Sequence, residues 1–133
     1  MIAGTGIDVV DCAAFEALLR EPGSAFEERT FTAAERSTAY ARSSGAPATH
    51  LAARYAAKEA TVKALSQAMA PGPLPRALAD LSEIEVRCDD DSRPSIALRG
   101  RVLSLAEGAG VTRLHLSMSH DGAVATAIVI AER

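Results

Sequence analysis

Three stretches place acidic and basic side chains where their types and spacing could do chemistry. The longest is Arg54 to Leu65, Arg-Tyr-Ala-Ala-Lys-Glu-Ala-Thr-Val-Lys-Ala-Leu. Glu59 and Lys63 stand one helical turn apart in it, so a carboxylate and an ammonium can face one shared space beside the core. The plain alternative is an i,i+4 surface ion pair worth a few tenths of a kcal/mol, the favourite for an arbitrary helix. The second stretch is Gly-Thr-Gly-Ile-Asp-Val-Val at residues 4 to 10. Strand alternation puts Asp8 on the face of Gly4 and Gly6, with Ile7 and Val9 opposite, and the glycines mark where another backbone or a ligand can come close. Taken alone, such a carboxylate is more often a turn-side hydrogen-bond acceptor than a ligand. The third is Leu-Ser-Met-Ser-His-Asp at residues 116 to 121. Ser119, His120 and Asp121 are the residue types of a hydrolase triad, but sequential neighbours on a strand cannot all converge and no Gly-x-Ser-x-Gly elbow is present. His120 alone reads most simply as a turn-capping histidine.

The elements that must hold these residues follow from periodicity. The Arg54 region predicts the middle of a long helix from Pro47, suited to a first turn, to about Ala68. At about 100° per residue, Leu51, Tyr55, Val62, Leu65 and Met69 form one apolar stripe, with Arg54 on one edge and Lys58 inside it. A charge inside the stripe points to a subunit interface or to a snorkelling stem. Ile2 to Val10 predicts a strand. Asp11 is an N-cap for a short helix from Cys12 to Arg20 that stops at Pro22-Gly23. Thr32-Ala33-Ala34-Glu35 is a capping box opening a helix to about Arg42, ended by Ser43-Ser44-Gly45. Pro71 to Pro75 forbids helix. Ile84-Glu85-Val86 and Ser95 to Leu98 predict two strands joined by the loop Asp89 to Arg93, whose aspartates lack the spaced pattern of a calcium loop. Gly100 to Glu107 predicts a helix. Val111 to Met118 alternates as a half-buried strand, Asp121-Gly122 signals a hairpin, and Ala123 to Ala131 is apolar enough to be central in a sheet. Hairpins with helices between them predict an α+β fold, with a mainly antiparallel sheet packed on the long central helix.

Composition bounds the rest. At 133 residues the chain fits a single domain over residues 1–133, and with 48% hydrophobic residues but no Trp the core must be built from Ala, Val, Leu and Ile. A net charge of −3 argues against a general nucleic-acid binder. No run reaches membrane-spanning length and the N-terminus lacks a signal core, so a cytoplasmic protein with no membrane partner is expected. Cys12 and Cys88 are expected to be free thiols. From Arg36 to Lys63 there are five basic residues against Glu59, a local field for phosphates or an acidic protein.

The three stretches, in this order and spacing, closely resemble the holo-acyl carrier protein synthase type of 4′-phosphopantetheinyl transferase. Phe31-Thr32 with Glu35, the Ile84 to Val86 strand, Pro94 and the length resemble it too. That resemblance implies Mg²⁺-dependent transfer of the phosphopantetheine arm of coenzyme A to a serine hydroxyl of an apo acyl carrier protein, releasing adenosine 3′,5′-bisphosphate. It implies Asp8 and Glu59 as metal ligands, which suits a hard cation held by one or two carboxylates, water and substrate phosphates. Lys63 would reach the same phosphates as a point charge, His120 would contact the nucleotide phosphates with Ser119 supporting it, and Arg54 would dock the carrier. The carrier serine's proton goes to a metal-bound water or to Glu59, and Glu59 acting through water is the reading preferred. The family is typically a homotrimer with each site at a subunit contact.

Two positions depart from the family pattern. Ala14 stands where a carrier-docking arginine is common, and Ser92 where a hairpin glycine is usual. Arg20, Arg29, Arg36 and Arg42 could supplement docking through on-rate and orientation. Ala14 motivates a second expectation, a coenzyme A-binding protein that no longer transfers anything. The third is a structural trimer in which Glu59 and Lys63 are an ordinary ion pair.

Overall fold

A computed structural model describes residues 1–42 and 45–133. The chain runs β1 (Ile2–Asp11), α1 (Cys12–Leu19), α2 (Phe26–Thr30), α3 (Ala33–Ala41), α4 (Pro47–Ala68), two 3-10 turns, β2 (Ile84–Cys88), β3 (Pro94–Leu98), α5 (Gly100–Gly108), β4 (Arg113–Asp121) and β5 (Val124–Glu132). Antiparallel pairing gives a three-stranded sheet in the order β1-β5-β4 and a separate β2-β3 hairpin. The fold is α+β, with the apolar β5 central and the 22-residue α4 laid across the larger sheet. Cys12 and Cys88 are free.

The sheet and α4 touch because neither carries bulk where they meet. A Cβ on Gly6 would lie 1.8 Å from the Ala60 carbonyl oxygen, and one on Gly4 2.0 Å from that of Ala64. Only glycine fits so close to another backbone. Ala60 and Ala64 are themselves fully buried. The predicted apolar stripe on α4 needs correction for the same reason. Alanines on the side of the helix away from that stripe, Ala52, Ala53, Ala56, Ala57, Ala60, Ala64 and Ala68, are buried, while Val62 and Met69 of the stripe are only half-buried. A methyl side chain carries too little bulk to mark a face in a periodicity count, yet it is what lets elements close around a helix.

Lys58 neither snorkels nor lies at a subunit interface. Its side chain is completely buried, and its ammonium donates to Glu35 Oε1 at 2.7 Å, to the Leu81 carbonyl at 2.9 Å and to the Ile84 carbonyl. Glu35 also accepts from the backbone N–H of Thr32 and of Val86, each at 2.9 Å. The capping-box carboxylate of α3 is therefore shared by α4 and β2, and all three ammonium protons and both carboxylate oxygens are engaged. Burial pushes the Lys58 ammonium below its usual range, opposed by the Glu35 charge. A second cluster packs Phe15 against Phe26, Phe31 and Tyr55, with ring centroids 5.9, 6.2 and 5.4 Å away. Phe26 sits on α2, a five-residue helix that periodicity did not register because it is barely longer than one turn.

Loops follow their turn chemistry with small shifts. The stop expected after α3 falls partly on Ser43 and Ser44, outside the described residues. The last hairpin pairs Asp121 with Val124, so its two-residue loop is Gly122-Ala123, one step later than the Asp121-Gly122 signal. Ser92, where a glycine was the family expectation, holds φ +62°, the left-handed conformation a Cβ disfavours.

Gly6→Ala is expected to cost about 3 kcal/mol, because a helix backbone must move to admit the methyl group; urea denaturation of the variant measures it. Lys58→Met leaves the Glu35 carboxylate buried and unpaired and is expected to cost about 3 kcal/mol or more, while adding Glu35→Gln recovers part of that loss in the same assay.

Candidate active site

Asp8 follows Gly4 and Gly6 on the strand face turned to α4, so the close helix–strand contact delivers its carboxylate to the helix surface. Lys63 stands there. Its ammonium is 3.0 Å from Asp8 Oδ1 and donates to the Ile7 carbonyl at 2.8 Å. The cation that spacing paired with Glu59 along the helix is thus engaged across it, by the strand. Asp8 keeps 18% of its side-chain surface exposed and Lys63 52%, so the pair sits at a solvent boundary.

Glu59 turns to Tyr55 instead, one turn before it. The Tyr55 phenol is pushed above its usual range, first by burial, then by the charge of Glu59 and its hydrogen bond, then by the charge of Asp8. Both carboxylates are therefore felt by one phenol. They line a common cleft of about 400 Å³ with Tyr55, Ala14, Phe15 and Leu18. Lys63 lines an adjoining cleft of about 530 Å³ with Thr5, Ser66 and Gln67, and Gln67 Oε1 accepts from the Thr5 N–H at 2.8 Å. Tyr55 was assigned only to the apolar stripe; its i,i+4 spacing to Glu59 was the available signal for a polar role.

No group of three or more His, Cys, Asp or Glu side chains gathers to hold a metal among the described residues. Asp8 and Glu59 offer two carboxylates toward one space, a donor set that suits a hard divalent cation drawing its remaining ligands from water and phosphate oxygens.

The other predicted site residues lie apart from this cleft within one chain. Ser119 and His120 are exposed near the end of β4 and pair with Thr126 and Ala125 of β5, which separates them from β1. Two strand spacings, roughly 10 Å, intervene between β4 and β1. The register places Ser119 on the sheet face opposite Asp8. Arg54 is only 3% exposed and donates to the His50 carbonyl at 3.2 Å. It forms the floor of a third cleft, about 500 Å³, with Arg42, Glu85, Arg87 and Cys88. Its Nε is buried without a partner among the described residues, and burial lowers the pKa of the guanidinium.

Residues 4–129 match the family described as the 4′-phosphopantetheinyl transferase superfamily, and the chain belongs to it. Within it, the chain is of the holo-[acyl-carrier-protein] synthase kind, a phosphopantetheinyl transferase enzyme. It is 44% identical over 133 residues to the holo-[acyl-carrier-protein] synthase of Clavibacter michiganensis, covering 99% of this chain and 97% of that one. It is 46% identical over 136 residues to the synthase of Salinispora arenicola, covering 100% of both. A solved structure of the Chronobacterium ammoniagenes synthase in complex with coenzyme A superposes with a TM-score of 0.85 at 41% identity, covering 96% of this chain and 95% of that one.

Removing the Glu59 charge is expected to let Tyr55 ionise at lower pH. Ultraviolet titration of Glu59→Gln against the parent protein, with Tyr40→Phe in both to leave one tyrosine, reads the shift.

Proposed function

We propose that the chain transfers the 4′-phosphopantetheine group of coenzyme A to a serine hydroxyl of an apo acyl carrier protein, giving holo carrier and adenosine 3′,5′-bisphosphate. The observation that carries this reading is the shared cleft of Asp8 and Glu59 with Lys63 at its edge, in a member of this enzyme family. Asp8 and Glu59 hold Mg²⁺, which when bound supplies charge that offsets the negative charge of the diphosphate and of the leaving bisphosphate. Lys63 adds a compact, mobile positive charge to the same phosphates. The serine oxygen bonds to the phosphorus that carries the pantetheine arm, the phosphorus–oxygen bond to the bisphosphate breaks, and the hydroxyl proton passes through a water to Glu59. Tyr55 holds the Glu59 carboxylate toward the cleft.

The reading includes a homotrimer. Ile7, Val9 and Ile128 leave 60, 62 and 44% of their surface exposed on the outer sheet face, an apolar face suited to a second copy. His120 and Ser119, remote from Asp8 in one chain, would then serve the donor's phosphates at a site completed between copies. Arg54, sunk in its cleft, can receive only an anionic group that enters it, either an acidic side chain of the carrier or a phosphate. Arg20 and Arg29, both exposed, are better placed to attract the carrier's acidic surface. Residues 1–133 act as one catalytic domain, and no described helix is long and apolar enough to cross a membrane. The setting proposed is the cytoplasm.

Incubating the protein with apo carrier, coenzyme A and Mg²⁺ and weighing the carrier by mass spectrometry tests the proposal. The carrier is expected to gain one phosphopantetheine group. Asp8→Ala and Glu59→Gln are each expected to slow the gain by about 100-fold or more while leaving thermal stability close to the parent's. Tight coenzyme A binding with no gain on a panel of carriers would instead mark a donor-binding protein without transferase activity.

A further inference from the structure

Lys63 occupies the carboxylate that the proposed metal needs. Its ammonium lies 3.0 Å from Asp8 Oδ1, where it neutralises one of the two carboxylates and meets an arriving dication with like charge. It is not locked there, because about half its side chain is exposed and its other bond is to the Ile7 carbonyl on the free edge of β1. Gln67 ties that edge to α4 separately, through Thr5, so Lys63 can leave without releasing the strand. On its other side Lys63 faces the cleft of Thr5, Ser66 and Gln67, where an incoming diphosphate would compete with Asp8 for the ammonium.

Resting on the proposed function, we infer that Lys63 closes Asp8 to metal until the donor's diphosphate draws it away. Donor and metal then bind with positive coupling. The coupling arises because the ammonium transferred to the phosphate is the charge removed from Asp8, and linkage makes each raise the other's affinity by the same factor. The site is thereby kept from holding a metal unproductively in the absence of donor.

The test is Mn²⁺ binding to the full chain, read from the electron paramagnetic resonance of free Mn²⁺, with and without saturating coenzyme A and corrected for Mn²⁺ held by coenzyme A alone. The parent protein is expected to bind Mn²⁺ about tenfold or more tightly with coenzyme A than without. Lys63→Met is expected to bind Mn²⁺ severalfold more tightly than the parent in the absence of coenzyme A, so that coenzyme A adds less than in the parent, only the part that phosphate oxygens coordinating the metal supply. Lys63→Arg, which keeps a cation, is expected to retain the coupling. Donor-free affinity unchanged or weakened in Lys63→Met, while Asp8→Asn abolishes binding, overturns the inference and leaves the metal assignment standing. Parent-like Mn²⁺ binding by Asp8→Asn, with and without coenzyme A, overturns the metal assignment itself and the inference with it.

Discussion

Contact between two glycines of β1 and two alanines of α4 sets the geometry of this protein. Gly4 and Gly6 let the backbone of α4 approach to where a Cβ on either would sit about 2 Å from a helix carbonyl, and Ala60 and Ala64 answer them with methyl groups. Any larger residue in that seam would lift the helix, and with it Glu59 and Lys63, away from Asp8. The alanine content of α4 thus serves more than helix propensity: it fixes the distance at which charges on two elements meet. Asp8 is the next residue on the same strand face as the two glycines, so its place beside α4 follows from the packing that those glycines permit.

Two lysines five residues apart on α4 show how environment divides one chemistry into two roles. Lys58 is sealed from water, satisfied by a carboxylate and two carbonyls, and joins α3, α4 and β2 into one body. Lys63 has the same side chain half in solvent, bound to a carboxylate that is itself partly exposed. The first pair is costly to break because the remaining charge would have no water to turn to, whereas the second exchanges partners at little cost. The rigid lysine anchors the helix on which the mobile one acts.

Much of this was legible in the residues. The limits of α4, the capping box at Thr32 and the strand pair at the C-terminus follow from local rules that tertiary structure did not override, and β5 is central as its apolar run suggested. The alternation in β1 correctly separated Asp8 from Ile7 and Val9. Long-range pairing was not legible. Nothing in the spacing of Lys58 points to Glu35, 23 residues earlier, or takes Lys63 from Glu59 to Asp8 across 55 residues, because side-chain partners depend on which elements pack and not on helical period. The burial of Arg54 was hidden for the same reason: the cleft over it is built by α3 and the β2-β3 hairpin. Ser119 and His120 show the limit of reading one chain, since they lie on β4, two strands from Asp8, and the register turns Ser119 to the other face of the sheet.

A strand carboxylate and a helix carboxylate, brought together by glycine–alanine packing, are proposed to hold one divalent cation against a diphosphate. Diffraction from crystals grown with Mn²⁺ and coenzyme A, recorded at the manganese absorption edge, tests it most directly. A single anomalous peak is expected at coordination distance from both Asp8 and Glu59 and from the donor's phosphate oxygens. A peak held by neither carboxylate, or a donor bound with the metal elsewhere, would contradict it.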